Sequence, residues 1–253
     1  MELGLENNVA LVTGASGTIG QEIATAFGRE GAAVAVGYFA SPDQAQSTVD
    51  SVVAAGGRAL PVRIDLANAE SMIGVVEEVE AGLGPLSILV NNGVSWPARG
   101  DPGELFENVP LDRIRESVEA NLVGQYTLSQ AAVRSMRRGG WGRITHISTG
   151  LVDDGLAGSG PYVTPKAGLQ GLTRTMSREL AGAGIYTNVV MSGFVPHGDV
   201  PPAVLEQVSL AAATGRTTQA WEVANLVVFL SSAANGHITG ERIRADGHFL
   251  TRT

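Results

Sequence analysis

The chain has no cysteine and one lysine. Without cysteine there are no disulfides and no thiolate ligands for a metal. Aromatic residues make up only 5% of the sequence against 44% hydrophobic residues, so a core must be built mainly from Ala, Val, Leu and Ile. Positive charge is also scarce, with 17 basic residues against 25 acidic ones and a net charge of −8. That balance argues against a nucleic-acid partner or an anionic membrane surface, both of which favour a basic face. No apolar run approaches the roughly 18 residues a membrane span requires. Met1-Glu2-Leu3-Gly4-Leu5-Glu6 lacks the basic start and apolar stretch of a secretory signal. A cytoplasmic, soluble protein is expected. The histidines at 146, 197, 237 and 248 show no ligand spacing, so no metal is expected either.

What is present is a regular alternation of short apolar runs and amphipathic stretches. Strands are expected at Val9–Val12, Ala33–Val36, Leu60–Ile64, Ser87–Val90, Arg143–Ile147, Thr187–Met191 and Arg242–Ala245. Between them, helical patterns run over about 18–30, 42–55, 70–82, 111–138, 161–181 and 219–232. Ser41 and Pro42 read as N-cap and first residue of the second helix. Buried strands alternating with helices predict an α/β fold, a Rossmann-type doubly wound parallel sheet of seven strands with helices on both faces. No linker or repeat interrupts it, so residues 1–253 are expected to form one domain. In such sheets ligands bind beyond the carboxyl ends of the strands.

The first of those ends carries Thr13-Gly14-Ala15-Ser16-Gly17-Thr18-Ile19-Gly20. Three glycines at a strand-to-helix turn let backbone N–H groups approach a pyrophosphate, aided by the helix dipole. Other strand ends carry Asn91-Asn92-Gly93, which reads equally as a loop with room for a ribose and as an ordinary Asn-Gly turn, and Ile64-Asp65-Leu66, where Asp65 alone reads as a helix cap or turn residue. Tyr162-Val163-Thr164-Pro165-Lys166 is more pointed, because the only Lys follows one of four tyrosines by one helical turn. An ammonium beside a phenol favours phenolate and lowers its pKa, which suits proton exchange with an alcohol or carbonyl oxygen. Pro165 requires that helix to start near residue 161 or to bend. Ser148 and Thr149 end the preceding strand and offer hydroxyls to the same crevice.

These motifs, with Asn121 and the Ile238-Thr239-Gly240 stretch before Asp246-Gly247, occur in the order found in the short-chain dehydrogenase/reductase family. The chain resembles its single-domain branch, and within it the β-ketoacyl carrier-protein reductases, over essentially its whole length. The resemblance implies Tyr162 as general acid/base. It implies Lys166 as the residue that lowers the phenol pKa and holds the nicotinamide ribose, and Asn121 as holder of a water in a proton relay. Thr149, 13 positions before the Tyr, would bind the carbonyl oxygen, with Ser148 as the alternative. Cofactor contacts would come from Gly14, Ser16, Gly17, Thr18, Ile19 and Gly20, from Tyr38 and Ser41, from Asp65 and Leu66 at the adenine, from Asn92 and Gly93 at the adenosine ribose, and from the Val195 backbone. Residues 193–218 would form a lid over the substrate, with His197 on it, and a homotetramer or homodimer would form through the helices at 111–138 and 161–181.

Departures exist too. The middle glycine of the loop lies one place early, at Gly17, and Asn91-Asn92-Gly93 lacks the family's alanine. The stretch from Asn91 to Asn121 is longer than in carrier-protein reductases and holds Trp96, Pro97 and Arg99. No Asp or Glu stands at the end of the second strand, Val34 to Ser41, where an acid would select NAD. NADP(H) is therefore the expected cofactor, with Ser41 as a 2′-phosphate partner but no Arg in that segment, and NAD(H) remains open. The expected reaction is reduction of a ketone or a β-ketoacyl or polyketide-like substrate, free or bound to a carrier protein. The alternatives are an NAD-linked alcohol dehydrogenase and a non-catalytic dinucleotide-binding subunit. Asp153 and Asp154 read as a polar turn.

Overall fold

The computed structural model describes residues 2–98 and 104–249, so Arg99 lies outside the described residues. The seven strands are β1 (Val9–Val12), β2 (Ala33–Tyr38), β3 (Arg58–Arg63), β4 (Ile88–Asn91), β5 (Gly142–Thr149), β6 (Ile185–Ser192) and β7 (Arg242–Ala245). They form one parallel sheet in the order β3-β2-β1-β4-β5-β6-β7. Strand order reverses between β1 and β4, which makes the cleft above those two strands the natural ligand position.

The helices are α1 (Thr18–Arg29), α2 (Pro42–Ala54), α3 (Met72–Leu83), α4 (Leu111–Val118), α5 (Gln125–Gly139), α6 (Leu151–Asp154), α7 (Gly160–Leu180), α8 (Pro202–Ala211) and α9 (Ala220–Leu230). Strand periodicity divides the core between two faces. Ala10 and Val12 of β1 join Ile23 and Phe27 of α1, Val49 and Val52 of α2, and Val227 of α9. Val9 and Leu11 face the other way, toward Val75 and Val76 of α3, Leu128 and Met136 of α5, and Met176 of α7. Each large aliphatic or aromatic side chain so buried contributes about 1.5–3 kcal/mol. Few aromatics take part. Trp141 and Tyr186 instead sandwich the Arg143 guanidinium, 4.4 Å from each ring. Arg143 also donates to the carbonyls of Gly142, Gly184 and Asn235, and burial pulls its pKa to about 10.

Three sequence expectations need correction. Pro42 does open α2, but the Ser41 side chain makes no cap hydrogen bond. Helix α8 lies within the segment expected as a lid, and the short α6 holds Asp153 and Asp154, expected as a polar turn. The single long helix expected over 111–138 is broken by a π-helical turn at Glu119–Gly124. A π turn inserts a residue into the helical ladder and is concentrated at functional sites. Here it lets Gly124 lie against the backbone beyond β3, where an added Cβ would stand 2.0 Å from the Leu66 carbonyl oxygen.

That contact yields a stability prediction. Alanine normally favours a helix over glycine by about 1 kcal/mol, whereas forcing a methyl into close-packed backbone costs about 1–3 kcal/mol. We expect Gly124→Ala to lose about 2 kcal/mol in denaturant unfolding. A variant more stable than the parent would show that Gly124 is not held against Leu66.

Candidate active site

The glycine loop is shaped by packing on one side and left open on the other. Gly14 has a φ of +63° and, with a side chain, would touch the Gly93 backbone at 2.7 Å. Gly20 is pressed on the Gly14 carbonyl, which a Cβ would meet at 2.3 Å. Gly17, by contrast, is exposed at the N-cap of α1, and a Cβ there would meet only the Gly14 oxygen at 3.5 Å. No side chain caps α1, and no acid stands in its first turn. The N–H groups at Thr18, Ile19 and Gly20 therefore form a bare helix terminus suited to a phosphate. Ser16 and Ile19 are half-buried beside it. These residues fit a dinucleotide.

Asn92 fixes the loop to β4, its amide donating to the carbonyls of Thr13 at 2.9 Å and Gly14 at 3.2 Å. Thr13, which the sequence reading passed over, accepts from the backbone N–H groups of Asn92 and Gly93 at 3.0 and 2.7 Å. The ribose position expected of Asn92 and Gly93 is thus framed by a tie whose side-chain groups already have partners. Asp65 closes a local turn, accepting from the Ala67 N–H at 3.0 Å, and Leu66 reaches over Gly93. Val195 is half-buried after β6, packed on the α1 side of the sheet.

At the end of β2 the structure supplies a cation that the sequence reading did not find. Parallel pairing sets Tyr38 opposite Arg63, the last residue of β3. The Arg63 guanidinium lies over the exposed Phe39 ring, 5.3 Å from its centroid. The expectation that no arginine stands at this position is corrected, because the segment after β2 holds none but the neighbouring strand brings one. A register of β3 against β2 would have been the signal.

The residues expected to react stand where β5 meets α7. Adjacent strand residues point to opposite faces, which separates the two hydroxyl candidates. Ser148 donates to the Lys166 carbonyl at 3.3 Å, whereas the Thr149 hydroxyl accepts from the Leu151 N–H at 3.3 Å and stands close enough to the Tyr162 phenol to lower its pKa. Burial pushes the phenol pKa up, and the Thr149 contact offsets this only in part. Burial is the largest cause of that shift, and Lys166 follows Tyr162 by one turn of α7. Lys166 is itself buried, donates to the Ile147 carbonyl at 2.8 Å, and is pulled down to about 8 by desolvation. His146 on β5 is pulled to about 3, by burial first and the Lys166 charge second, so it is neutral at working pH. Its Nδ1 lies 3.2 Å from the Asn91 amide nitrogen.

Pro165 falls within α7, past its first turn. It has no N–H to give the Pro161 carbonyl four residues back. The Ser117 hydroxyl on α4 donates to that carbonyl instead, at 2.6 Å. Ser117 in turn accepts from the Asn121 amide at 3.2 Å. Asn121, in the π turn, clamps the Ser95 backbone from both sides, donating to its carbonyl and accepting from its N–H, each at 2.8 Å. The Asn121 side chain thus holds the loop at Ser95. The residue after Ser95 is Trp96, whose indole stacks on Tyr162 with centroids 5.0 Å apart and planes 17° apart. Neither Ser117 nor Trp96 stood out in the sequence as part of the site.

Asp153 and Asp154 are not a free polar turn. Asp153 pairs with Arg242 at 2.5 Å and Asp154 with Arg244 at 2.7 Å, which ties the segment after Thr149 to β7. His197 is exposed. Among the described residues no group of His, Asp or Glu is arranged to hold a metal. The Ser117 relay gives a prediction. Ser117→Ala leaves the buried Pro161 carbonyl without a partner, which costs about 1–3 kcal/mol. Thermal unfolding should show that loss, and Ser117→Thr should recover most of it. An unchanged alanine variant would mean that the Pro161 carbonyl is satisfied in another way.

Comparison with known proteins agrees with this geometry. Residues 8–201 match the family model described as short chain dehydrogenase. The chain is 34% identical over 249 residues to the 3-oxoacyl-(acyl-carrier-protein) reductase FabG of Pseudomonas aeruginosa, covering 97% of this chain and 98% of that one. FabG of Staphylococcus aureus is 34% identical over 250 residues, covering 94% and 96%. Among solved structures, the promiscuous reductase LugOII, which catalyses keto-reduction at C1 during lugdunomycin biosynthesis, superposes with a TM-score of 0.87 at 34% identity, over 96% of this chain and 98% of that chain. A Serratia marcescens short-chain dehydrogenase/reductase mutant gives 0.86 at 33% identity, over 97% and 98%. The chain belongs to the short-chain dehydrogenase/reductase family and is an NAD(P)-dependent oxidoreductase acting on CH–OH and C=O groups.

Proposed function

We propose that the protein is an NADPH-dependent keto reductase in which Tyr162 gives its proton to the carbonyl oxygen. The observation that carries this reading is the placement of Tyr162, a half-buried phenol that stands beside the Thr149 hydroxyl with Lys166 one turn further along α7. A protonated phenol is the form a reduction needs, and burial pushes the Tyr162 pKa further from neutrality. Thr149 holds the carbonyl oxygen in place, and Ser148 supports the α7 backbone. The bound dinucleotide supplies the hydride. Lys166 keeps a positive charge one turn below the phenol. It has N–H groups beyond the one given to Ile147 for the nicotinamide ribose hydroxyls, and Asn121 serves by positioning the loop at Ser95.

The substrate class is a ketone. FabG of Pseudomonas aeruginosa is named for reducing a 3-oxoacyl group on a carrier protein and LugOII for a keto-reduction, and both classes suit a site built on Thr149 and Tyr162. Leu111, Val123 and Tyr126 leave apolar surface exposed on the elements from α4 to α5, which supports self-association there as a homotetramer or homodimer. Among the described residues no helix is long and apolar enough to cross a membrane.

Two measurements test the reading. With NADPH and a ketone panel, Tyr162→Phe is expected to lose turnover by at least a thousandfold, within the general-acid range, while the NADPH Kd stays within about twofold. Thr149→Ala should cost more in kcat/KM than Ser148→Ala. Substantial activity in the Phe variant, or the reverse ranking of the hydroxyls, would overturn the assignment. For the cofactor, Arg63 supplies a cation where a 2′-phosphate would lie. A charge pair at about 4 Å contributes roughly 1–4 kcal/mol between water and protein surface, and the exposed setting favours the low end. Arg63→Ala should therefore weaken NADPH binding about tenfold in fluorescence titration and leave NADH nearly unchanged. Equal losses for both cofactors would remove Arg63 from the 2′-phosphate site.

A further inference from the structure

We propose that Trp96 is a specificity-determining residue of the substrate pocket and selects ketones carried on flat aromatic ring systems. The inference rests on the reading of Tyr162 as proton donor. The chain has three tryptophans. Trp141 is committed to the Arg143 guanidinium and Trp221 lies on α9, so Trp96 alone reaches the reacting groups.

Its placement has two parts. The backbone just before it is fixed, because Asn121 holds both the N–H and the carbonyl of Ser95. The ring beyond that anchor is held mainly by its stack on Tyr162 and is 64% exposed. A large, flat, apolar surface thus covers one face of the proton-donating phenol while most of its own surface meets water. A carbonyl group seeking the Tyr162 oxygen arrives beside Thr149, and any group attached to that carbonyl lies against the indole.

The energetics then depend on what the carbonyl carries. Aromatic pairs gain from offset stacking beyond the area they bury. A substrate with a fused aromatic ring stacks on the indole surface that Tyr162 leaves exposed, so a second stack is added to the first. A linear acyl chain meets the same surface with nothing flat to offer. The upper end of a stacking contribution corresponds to about tenfold in a rate or binding constant. The site should prefer the flat ketone by about that factor beyond any difference in intrinsic reactivity.

The test compares 1-tetralone, a ketone fused to an aromatic ring, with an acetoacetyl thioester, a linear β-ketoacyl group, using the full chain and NADPH. For Trp96→Ala, the ratio of kcat/KM for tetralone to that for the thioester is expected to fall about tenfold. Trp96→Phe keeps a flat ring and should retain most of the ratio. Calorimetric titration of 1-tetralone into the NADP⁺ complex gives a readout without turnover, and its Kd should weaken about tenfold in the alanine variant and little in the phenylalanine variant. An unchanged ratio, or an unchanged Kd, would overturn the inference. If the parent binds tetralone through Trp96 but reduces neither ketone, the keto-reductase reading fails while the binding role of Trp96 stands.

Discussion

A proline inside a helix leaves one carbonyl without its donor, and in this protein that carbonyl organises the active site. Pro165 deprives Pro161, and Pro161 is followed at once by Tyr162. If the carbonyl were buried and bare, the turn that carries the reacting phenol would be strained or frayed. The Ser117 hydroxyl meets it at 2.6 Å, and because a hydroxyl can also accept, Ser117 takes a hydrogen bond from Asn121 at the same time. Asn121 uses the rest of its amide on Ser95. A local defect in α7 thus becomes a relay through α4 and the π turn into the loop after β4, and it returns to α7 where Trp96 stacks on Tyr162. The π turn belongs to the same logic, since it shifts the helix so that Asn121 faces the loop and Gly124 packs on Leu66.

Desolvation rather than pairwise attraction dominates the electrostatics of the site. Tyr162 is held toward its protonated form, Lys166 is pulled down to about 8 and His146 to about 3, and burial is the largest cause each time. All three shifts favour the neutral form. A site that resists charge in this way suits an uncharged carbonyl and an uncharged phenol, and it strengthens whatever charge does form there. In the mechanism proposed above, a phenolate at Tyr162 would gain from the Lys166 charge in a low-dielectric setting where such an interaction is large.

Much of this architecture is legible in the sequence, for identifiable reasons. Val9–Val12 appears as a strand because a short apolar run between turn residues has few other uses. The doubly wound order follows from strand and helix alternation. Tyr162 and Lys166 are legible because their spacing is local and their residue types are rare here. What escapes is carried by tertiary contacts. Arg63 belongs to the second strand's end only through the pairing of Tyr38 with Arg63. Ser117 matters only because a proline 48 positions later orphans a carbonyl. The break in the helix over 111–138 leaves no proline in the sequence, and its cause lies at Ser95 and Leu66 on separate loops. The part that burial plays in the Tyr162 shift escaped for a related reason: the spacing places a lysine one turn away but says nothing of how far both groups are removed from water.

The single lysine itself has a physical account. Elsewhere the chain uses arginine as a fork, as where Arg113 meets both oxygens of Glu104 and Arg244 both oxygens of Asp154. A fork needs planar partners and keeps its charge at any accessible pH. At position 166 there is no carboxylate partner on the side chain, only the Ile147 carbonyl, and the surroundings are buried. A guanidinium there would bring several unsatisfied N–H groups and a charge that it cannot shed. An ammonium is compact, satisfies one carbonyl, and yields to desolvation by lowering its pKa toward 8. In the proposed mechanism the same yielding would let Lys166 pass a proton as the charge on Tyr162 changes, a role that a permanently charged arginine cannot fill. The one lysine therefore stands at the one position where a basic group has to be buried, small and able to titrate.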